Sequence, residues 1–209
     1  MIKAVIFDMD GVLIDARQWH FKALNDALAI FGFVISDSEH EITYNGLPTK
    51  VKLEILSSRK GLPRGLHSLI SEIKQENTEL EAMIHCRPIF VVQQTLADLK
   101  REGYKLAVAS NSVKASIELF LSRSAISHYF QNILSNEDVH EPKPHPEMYQ
   151  RAIANLGCLP NEVLVIEDSE IGIQSATSAG AHTLRVLSPQ YVTSGTIFSE
   201  IKKIDAEFR

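Results

Sequence analysis

An α/β protein, in which a parallel sheet is interrupted early by a block of helices, is predicted by three features of this 209-residue sequence. After residue 89, short apolar runs alternate with helical patterns, the order expected of strands joined by crossover helices. From about Asp15 to Arg87 the periodicity is helical and no convincing strand occurs. The chain nevertheless opens on a strand-like run, Ile2 to Phe7, that ends in two aspartates. The expected architecture is a Rossmann-like parallel-sheet core made of residues 1–15 and 88–209, with an α-helical cap domain inserted at 16–87.

Each element has a local reason. Ile2, Ala4, Val5, Ile6 and Phe7 form a β-rich run, and Gly11 breaks the pattern just after Asp8 and Asp10. Three helices are expected in the insertion, at 16–31 with Trp19, Phe21, Leu24, Leu28 and Phe31 on the apolar stripe, then at 49–59 and 65–84. Gly32, Gly46 with Pro48, Gly61 with Pro63, and Pro88 mark its loops. Linkers are expected near Val12 to Ala16 and Ile84 to Ile89. In the core, strands are read at Lys105–Ala109, at Asn132–Leu134 and from Glu162 to Ile166. Gly103 and Gly157 follow helical runs closely enough to serve as C-terminal caps.

Composition narrows the function. Hydrophobic content of 44% and charged content of 22% are those of a soluble globular protein. A formal net charge of -5, with no concentrated Lys/Arg run, argues against nucleic acid or an anionic membrane as principal partner. Cys86 and Cys158 stand apart without a CxxC spacing, so both are expected to be buried free thiols. The N-terminus enters the first strand at once, and a cytoplasmic location is expected. Oligomeric state leaves no mark in the sequence.

The chemistry gathers where apolar runs end. Asp8 and Asp10 lie at the carboxyl end of a strand, the edge at which open α/β sheets bind ligands. Two carboxylates so close repel unless a cation or shared proton relieves them, and Mg²⁺ commonly bridges carboxylates to a substrate phosphate. The second core run ends in Ser110, Asn111 and Ser112 ahead of a helix, where a hydroxyl and backbone N–H groups suit an anion. Lys143 sits between Pro142 and Pro144 on a stiffened loop, a point charge for phosphoryl oxygens. Glu167 and Asp168 form a second acidic pair at a strand end, able to complete a metal site.

Taken together, FDMDGVL, SNS, KPHP and EDSEIGI resemble the four ordered motifs of the haloacid dehalogenase superfamily of phosphotransferases, within it the β-phosphoglucomutase-like group with a type I helical cap. The resemblance implies a Mg²⁺-dependent phosphatase acting on a small phosphorylated metabolite, a sugar or polyol phosphate, through an aspartyl phosphate. It makes Asp8 the nucleophile and Asp10 the general acid and base. The metal set it implies is Asp8, Asp10 through its backbone carbonyl, and Asp168, with Glu167 beside them. Phosphoryl contacts fall to Gly11, Ser110, Asn111 and Lys143, and substrate contacts from the cap to His20, Gly46 and Lys50.

Two other readings are weighed. A β-phosphoglucomutase-type phosphotransferase shares core and cap, but Thr49 and Glu76 stand where mutases carry cations for a second phosphate, and Ala16 replaces a hinge threonine. Exchanging a cation for a carboxylate there repels a bisphosphate. A phosphorylation-controlled signalling module also combines acids, a Ser/Thr and a Lys on a parallel sheet, but its single compact domain does not contain the helical insertion.

Overall fold

The computed structural model describes residues 1–207. In chain order, β1 (Ala4–Phe7) is followed by α1 (Arg17–Ala29), a one-turn α2 (Asp37–Glu39) continuing into a π turn at His40–Tyr44, α3 (Thr49–Lys60) and α4 (His67–His85). Then come α5 (Phe90–Arg101), β2 (Lys105–Ala109), α6 (Lys114–Arg123), β3 (Asn132–Leu134) and α7 (Glu147–Asn155), followed by β4 (Val163–Glu167), α8 (Glu170–Ser178), β5 (His182–Arg185) and α9 (Ser194–Glu207). Two compact units result: Met1–Asp15 with Arg87–Arg209, and Ala16–Cys86. Among the described residues no helix is long and apolar enough to cross a membrane.

The first unit is a five-stranded sheet in the order β3-β2-β1-β4-β5, every pair parallel. β1 lies at its centre with all four residues buried, and β4 is buried throughout. Central strands of a parallel sheet are covered on both faces, so they read as continuous apolar runs. Met148, Tyr149, Ala152 and Ile153 of α7 pack with Ala4, Ile6, Val163 and Val165 in one buried cluster, each large side chain contributing roughly 1.5–3 kcal/mol through burial. Phe7 pairs with Val108 on one side and Ile166 on the other. That register brings the carboxyl ends of β1, β2 and β4 level. Gly103 and Gly157 both adopt positive φ beyond α5 and α7.

β5 is an edge strand absent from the sequence reading. Its segment HTLR is polar and only half-buried, so neither an apolar run nor alternation announces it. Cys86 is buried, but Cys158 is only partly so, because it lies in the turn after α7 rather than on a core face.

In the second unit, Leu24, Ala27 and Leu28 of α1 lie at helical spacing on one buried face, with Leu53, Leu56 and Ile70 from α3 and α4. The segment between α1 and α3 is more ordered than glycine punctuation suggests. Asn25 clamps Ile35 in both directions, its amide donating to the Ile35 carbonyl at 2.8 Å and accepting the Ile35 N–H at 2.9 Å. A Ser36–Glu39 capping box then starts α2. The Ser57 hydroxyl donates to the Leu62 carbonyl at 2.7 Å and lies 2.7 Å from His67 Nε2. With its proton committed to Leu62, Ser57 accepts from the ring, and the pair stitches α3 to α4.

Candidate active site

Asp8 follows directly from β1, and the chain then reverses sharply. The Met9 carbonyl accepts the N–H groups of Leu13 and Ile14, while Gly11 donates to the Ile14 carbonyl at 2.7 Å. Gly11 sits at φ 87, where an L side chain is strained. Its N–H is committed to this turn, and the glycine supplies the positive φ that the reversal needs. The turn brings Asp10 to Ser112, whose hydroxyl donates to Asp10 Oδ2 at 2.8 Å.

Beyond β2, the Ser110 N–H donates to the Leu134 carbonyl and the Ser110 hydroxyl accepts the Ser112 N–H at 3.1 Å. α6 begins only at Lys114, and the Lys114 N–H is taken by Glu137 Oε2 at 2.8 Å. Asn111 instead clasps the lysine loop. Its amide donates to the Lys143 carbonyl at 3.2 Å and its oxygen accepts the Lys143 N–H at 3.0 Å.

The Lys143 side chain is buried, and its ammonium has three acceptors for three N–H bonds: Asp8 Oδ1 at 2.7 Å, Glu167 Oε1 at 2.7 Å and the Ala109 carbonyl at 2.8 Å. Glu167, fully buried at the end of β4, is equally engaged. Oε1 also accepts the Tyr149 hydroxyl at 2.7 Å, and Oε2 accepts the N–H groups of Asp168 and Ser169 and the Ser169 hydroxyl. Gly172 leaves room for this carboxylate: a Cβ there would overlap the Glu167 carboxylate atoms.

The electrostatics follow from four acids facing one ammonium. Burial drives the Asp8 carboxyl well above its ordinary range, Lys143 opposes it, and Glu167, Asp168 and Asp10 push it further up. Burial pulls Lys143 down, but Asp8 and Glu167 outweigh it and hold the ammonium above its usual value. Asp8, Glu167 and Asp168 each offer a carboxylate oxygen within 4.8 Å of the others. An all-oxygen, strongly anionic set suits a hard divalent cation such as Mg²⁺. Glu167 fits direct ligation poorly, since the roughly four lone-pair directions of a carboxylate already meet five donors. Asp8 and Asp168 are the side chains that fit.

Thus Asp8, Asp10, Ser110, Asn111, Lys143, Glu167 and Asp168 meet at one sheet edge. His20, Gly46 and Lys50 belong to the other unit. His20 Nδ1 lies 3.3 Å from Lys74 Nζ, Gly46 follows the π turn, and Lys50 is exposed in the first turn of α3. The neighbouring Lys52 is the buried lysine, with 6% exposure. Burial and the charges of Lys52 and His20 hold His40 down at about 4. Sequence reasoning missed Tyr149 altogether; Ser112, Ser169 and Gly172 fall inside motifs it quoted, but it did not foresee the contacts of Ser112 with Asp10 or of Ser169 and Gly172 with Glu167. Gly172 carries a further signal as a glycine inside a helix, where it costs about 1 kcal/mol relative to alanine.

The profile of the haloacid dehalogenase-like hydrolases matches residues 5–186. A phosphorylated carbohydrates phosphatase of Thermotoga maritima is 29% identical over 180 residues, covering 86% of this chain and 82% of that protein. Rhodobacter sphaeroides CbbY, solved with phosphate, superposes with a TM-score of 0.79 at 27% identity, over 92% of this chain and 88% of that one. β-Phosphoglucomutase from Clostridium difficile reaches a TM-score of 0.86 over 100% of this chain and 99% of that one, and at 23% identity speaks for the fold alone. With its profile match running from the first strand to beyond the last, and the motif carboxylates and lysine meeting at one edge, the chain belongs to the haloacid dehalogenase-like hydrolases and is an enzyme of that family.

Proposed function

We propose that this protein is a cytoplasmic, Mg²⁺-dependent phosphatase that hydrolyses a small phosphorylated metabolite, a sugar or polyol phosphate, through an aspartyl phosphate on Asp8. The observation that carries the reading is the pairing at the sheet edge: Asp8 Oδ1 held 2.7 Å from the buried Lys143 ammonium, with Asp10 tethered to Ser112 two residues on. The substrate class follows that of the Thermotoga maritima relative, a phosphorylated carbohydrates phosphatase.

In this reading an Asp8 carboxylate oxygen attacks phosphorus, and the bond to the leaving oxygen breaks as Asp10 delivers a proton to it. Asp10, now a carboxylate, takes a proton from water as that water attacks the acyl phosphate, releasing inorganic phosphate and restoring Asp8. The Ser112 hydrogen bond at Oδ2 fixes the carboxyl plane of Asp10 for both transfers. Lys143 supports the phosphoryl oxygens by exchanging its Asp8 contact for one of them while the Ala109 and Glu167 contacts anchor it. Ser110 adds its hydroxyl and Asn111 holds the lysine loop in register. Asp8 and Asp168, with the Asp10 backbone carbonyl, would hold Mg²⁺, which when bound offsets the charge that accumulates between nucleophile and phosphoryl group. The Ala16–Cys86 unit is read as the cap that selects the leaving group, with His20, Gly46 and Lys50 as its substrate-facing residues.

A phosphate-release panel over sugar phosphates, polyol phosphates, phosphoglycolate and nucleotides, with and without chelator, tests this. Turnover of a sugar or polyol phosphate that disappears with chelator is expected. Full activity in chelator sinks the metal assignment, and interconversion of glucose 1- and 6-phosphates with little phosphate release makes the enzyme a mutase.

A further inference from the structure

We infer that Tyr149 is a positioning residue for phosphoryl transfer, acting through Glu167 and Lys143; the inference rests on the phosphatase reading above. The hydroxyl of Tyr149 donates at 2.7 Å to Glu167 Oε1, the same oxygen that accepts Lys143 at 2.7 Å. The ring of Tyr149 also lies beside the ammonium, with Lys143 Nζ 4.6 Å from the ring centroid. One side chain therefore bounds both members of the buried pair.

Packing alone does not account for a tyrosine here. The ring sits in the α7 cluster with Met148, Ala152 and Ile153, where phenylalanine fills the same space. A fully buried hydroxyl costs stability unless it is bonded, and this one is aimed at a carboxylate. Its effect is on charge sharing. Without it, Oε1 has Lys143 as its one remaining donor, and the ammonium is drawn toward Glu167 and away from Asp8. With it, part of the Oε1 charge is satisfied from the α7 side, Gly172 and the Asp168–Ser169 loop fix the rest of the carboxylate, and one Lys143 N–H stays directed at Asp8. That N–H is the one the mechanism hands to the phosphoryl group.

Wild type, Tyr149→Phe and Tyr149→Leu are compared on p-nitrophenyl phosphate with Mg²⁺, with kcat corrected for the folded fraction from melting curves. Tyr149→Phe keeps KM within about twofold and loses about tenfold in kcat, the usual scale for a group that orients a metal-site or catalytic ligand; Tyr149→Leu, without the ring as well, loses about 100-fold. The second readout is the ¹⁹F spectrum of the adduct formed with beryllium fluoride and Mg²⁺. The fluorine nearest Lys143 shifts in Tyr149→Phe while the others hold. A Tyr149→Phe enzyme with wild-type kcat overturns the inference, and so does a lowered kcat with an unchanged ¹⁹F spectrum, because the loss is then structural. If wild type is inactive on every phosphate ester, the phosphatase reading falls and this inference with it. An active wild type beside an unimpaired Tyr149→Phe removes this inference alone.

Discussion

The sheet edge and the His40 site bury titratable groups in opposite ways. At the sheet edge, the buried ions are satisfied by one another: Lys143 is matched N–H by N–H to Asp8, Glu167 and Ala109, and Glu167 is held from five directions. In the helical unit, His40 is 4% exposed with its Nε2 lacking a hydrogen-bond partner among the described residues, and burial first, then the charges of Lys52 and His20, keep its proton off. A network in which every member is satisfied holds a fixed geometry, as stabilisation of a developing charge requires. At His40 a buried nitrogen is left without such a partner, and the ring is kept neutral instead.

The comparison breaks most readily at Asp8. Asp8→Asn removes the nucleophile while keeping its shape, and kcat on any accepted phosphate ester is expected to fall by at least about 10⁴-fold. Circular dichroism should show the same fold. Substantial turnover by the purified variant excludes a covalent intermediate on Asp8.

Asp10→Asn should cost less, about 10²- to 10⁴-fold, the usual worth of general acid–base catalysis. Because Asp10 gives the metal a backbone carbonyl rather than its carboxylate in this mechanism, the variant should still form the beryllium fluoride adduct with Mg²⁺. Loss of adduct formation along with activity assigns the Asp10 side chain to metal binding instead.

Gly172→Ala sharpens the contrast because its sign is reversed relative to an ordinary helix. Alanine for glycine inside a helix ordinarily gains about 1 kcal/mol. Here the new Cβ would overlap the Glu167 carboxylate, and overpacking of this kind costs about 1–3 kcal/mol. A lowered melting temperature together with a lowered kcat is expected. A stabilised, fully active Gly172→Ala enzyme shows that Glu167 can move without consequence, which removes the case for a rigid acid–lysine pair.

Legibility in the sequence divides along the same line. Asp8, Ser110 and Glu167 are readable because each stands where an apolar run ends, and a parallel register brings such ends level. Lys143 is readable from its flanking prolines. The pairing of Ser112 with Asp10 and the role of Tyr149 are not, since they depend on which loop lies beside Asp10 and how α7 rests on β4, both long-range facts. The turn at His40–Tyr44 escaped because glycine punctuation at Gly32 and Gly46 marks where order changes, not what lies between. β5 escaped because a short, half-exposed edge strand needs no apolar run.

The smallest expected effect lies in the helical unit and concerns pH. His40 is held near 4 against an ordinary value of 6.5, by burial first and then by the charges of Lys52 and His20; the Phe21 ring at 4.9 Å and the Glu41 carboxylate, 3.8 Å from Nδ1, complete its surroundings. Below pH 6.5 the unfolded chain takes up a proton that the folded chain refuses. Stability from this group is therefore complete above 6.5 and is lost as pH falls to about 4, a loss on the order of 2–3 kcal/mol. In a protein of this size that corresponds to roughly 4–12 °C in melting temperature. Carboxylates titrate over part of the same range, so the measurement is a difference. His40→Leu removes the proton site, and its melting temperature should rise relative to wild type as pH is lowered from 7 to 4. A difference that stays constant across that range means the ring is not kept neutral by its setting, and the contrast between the two units then rests on the sheet edge alone.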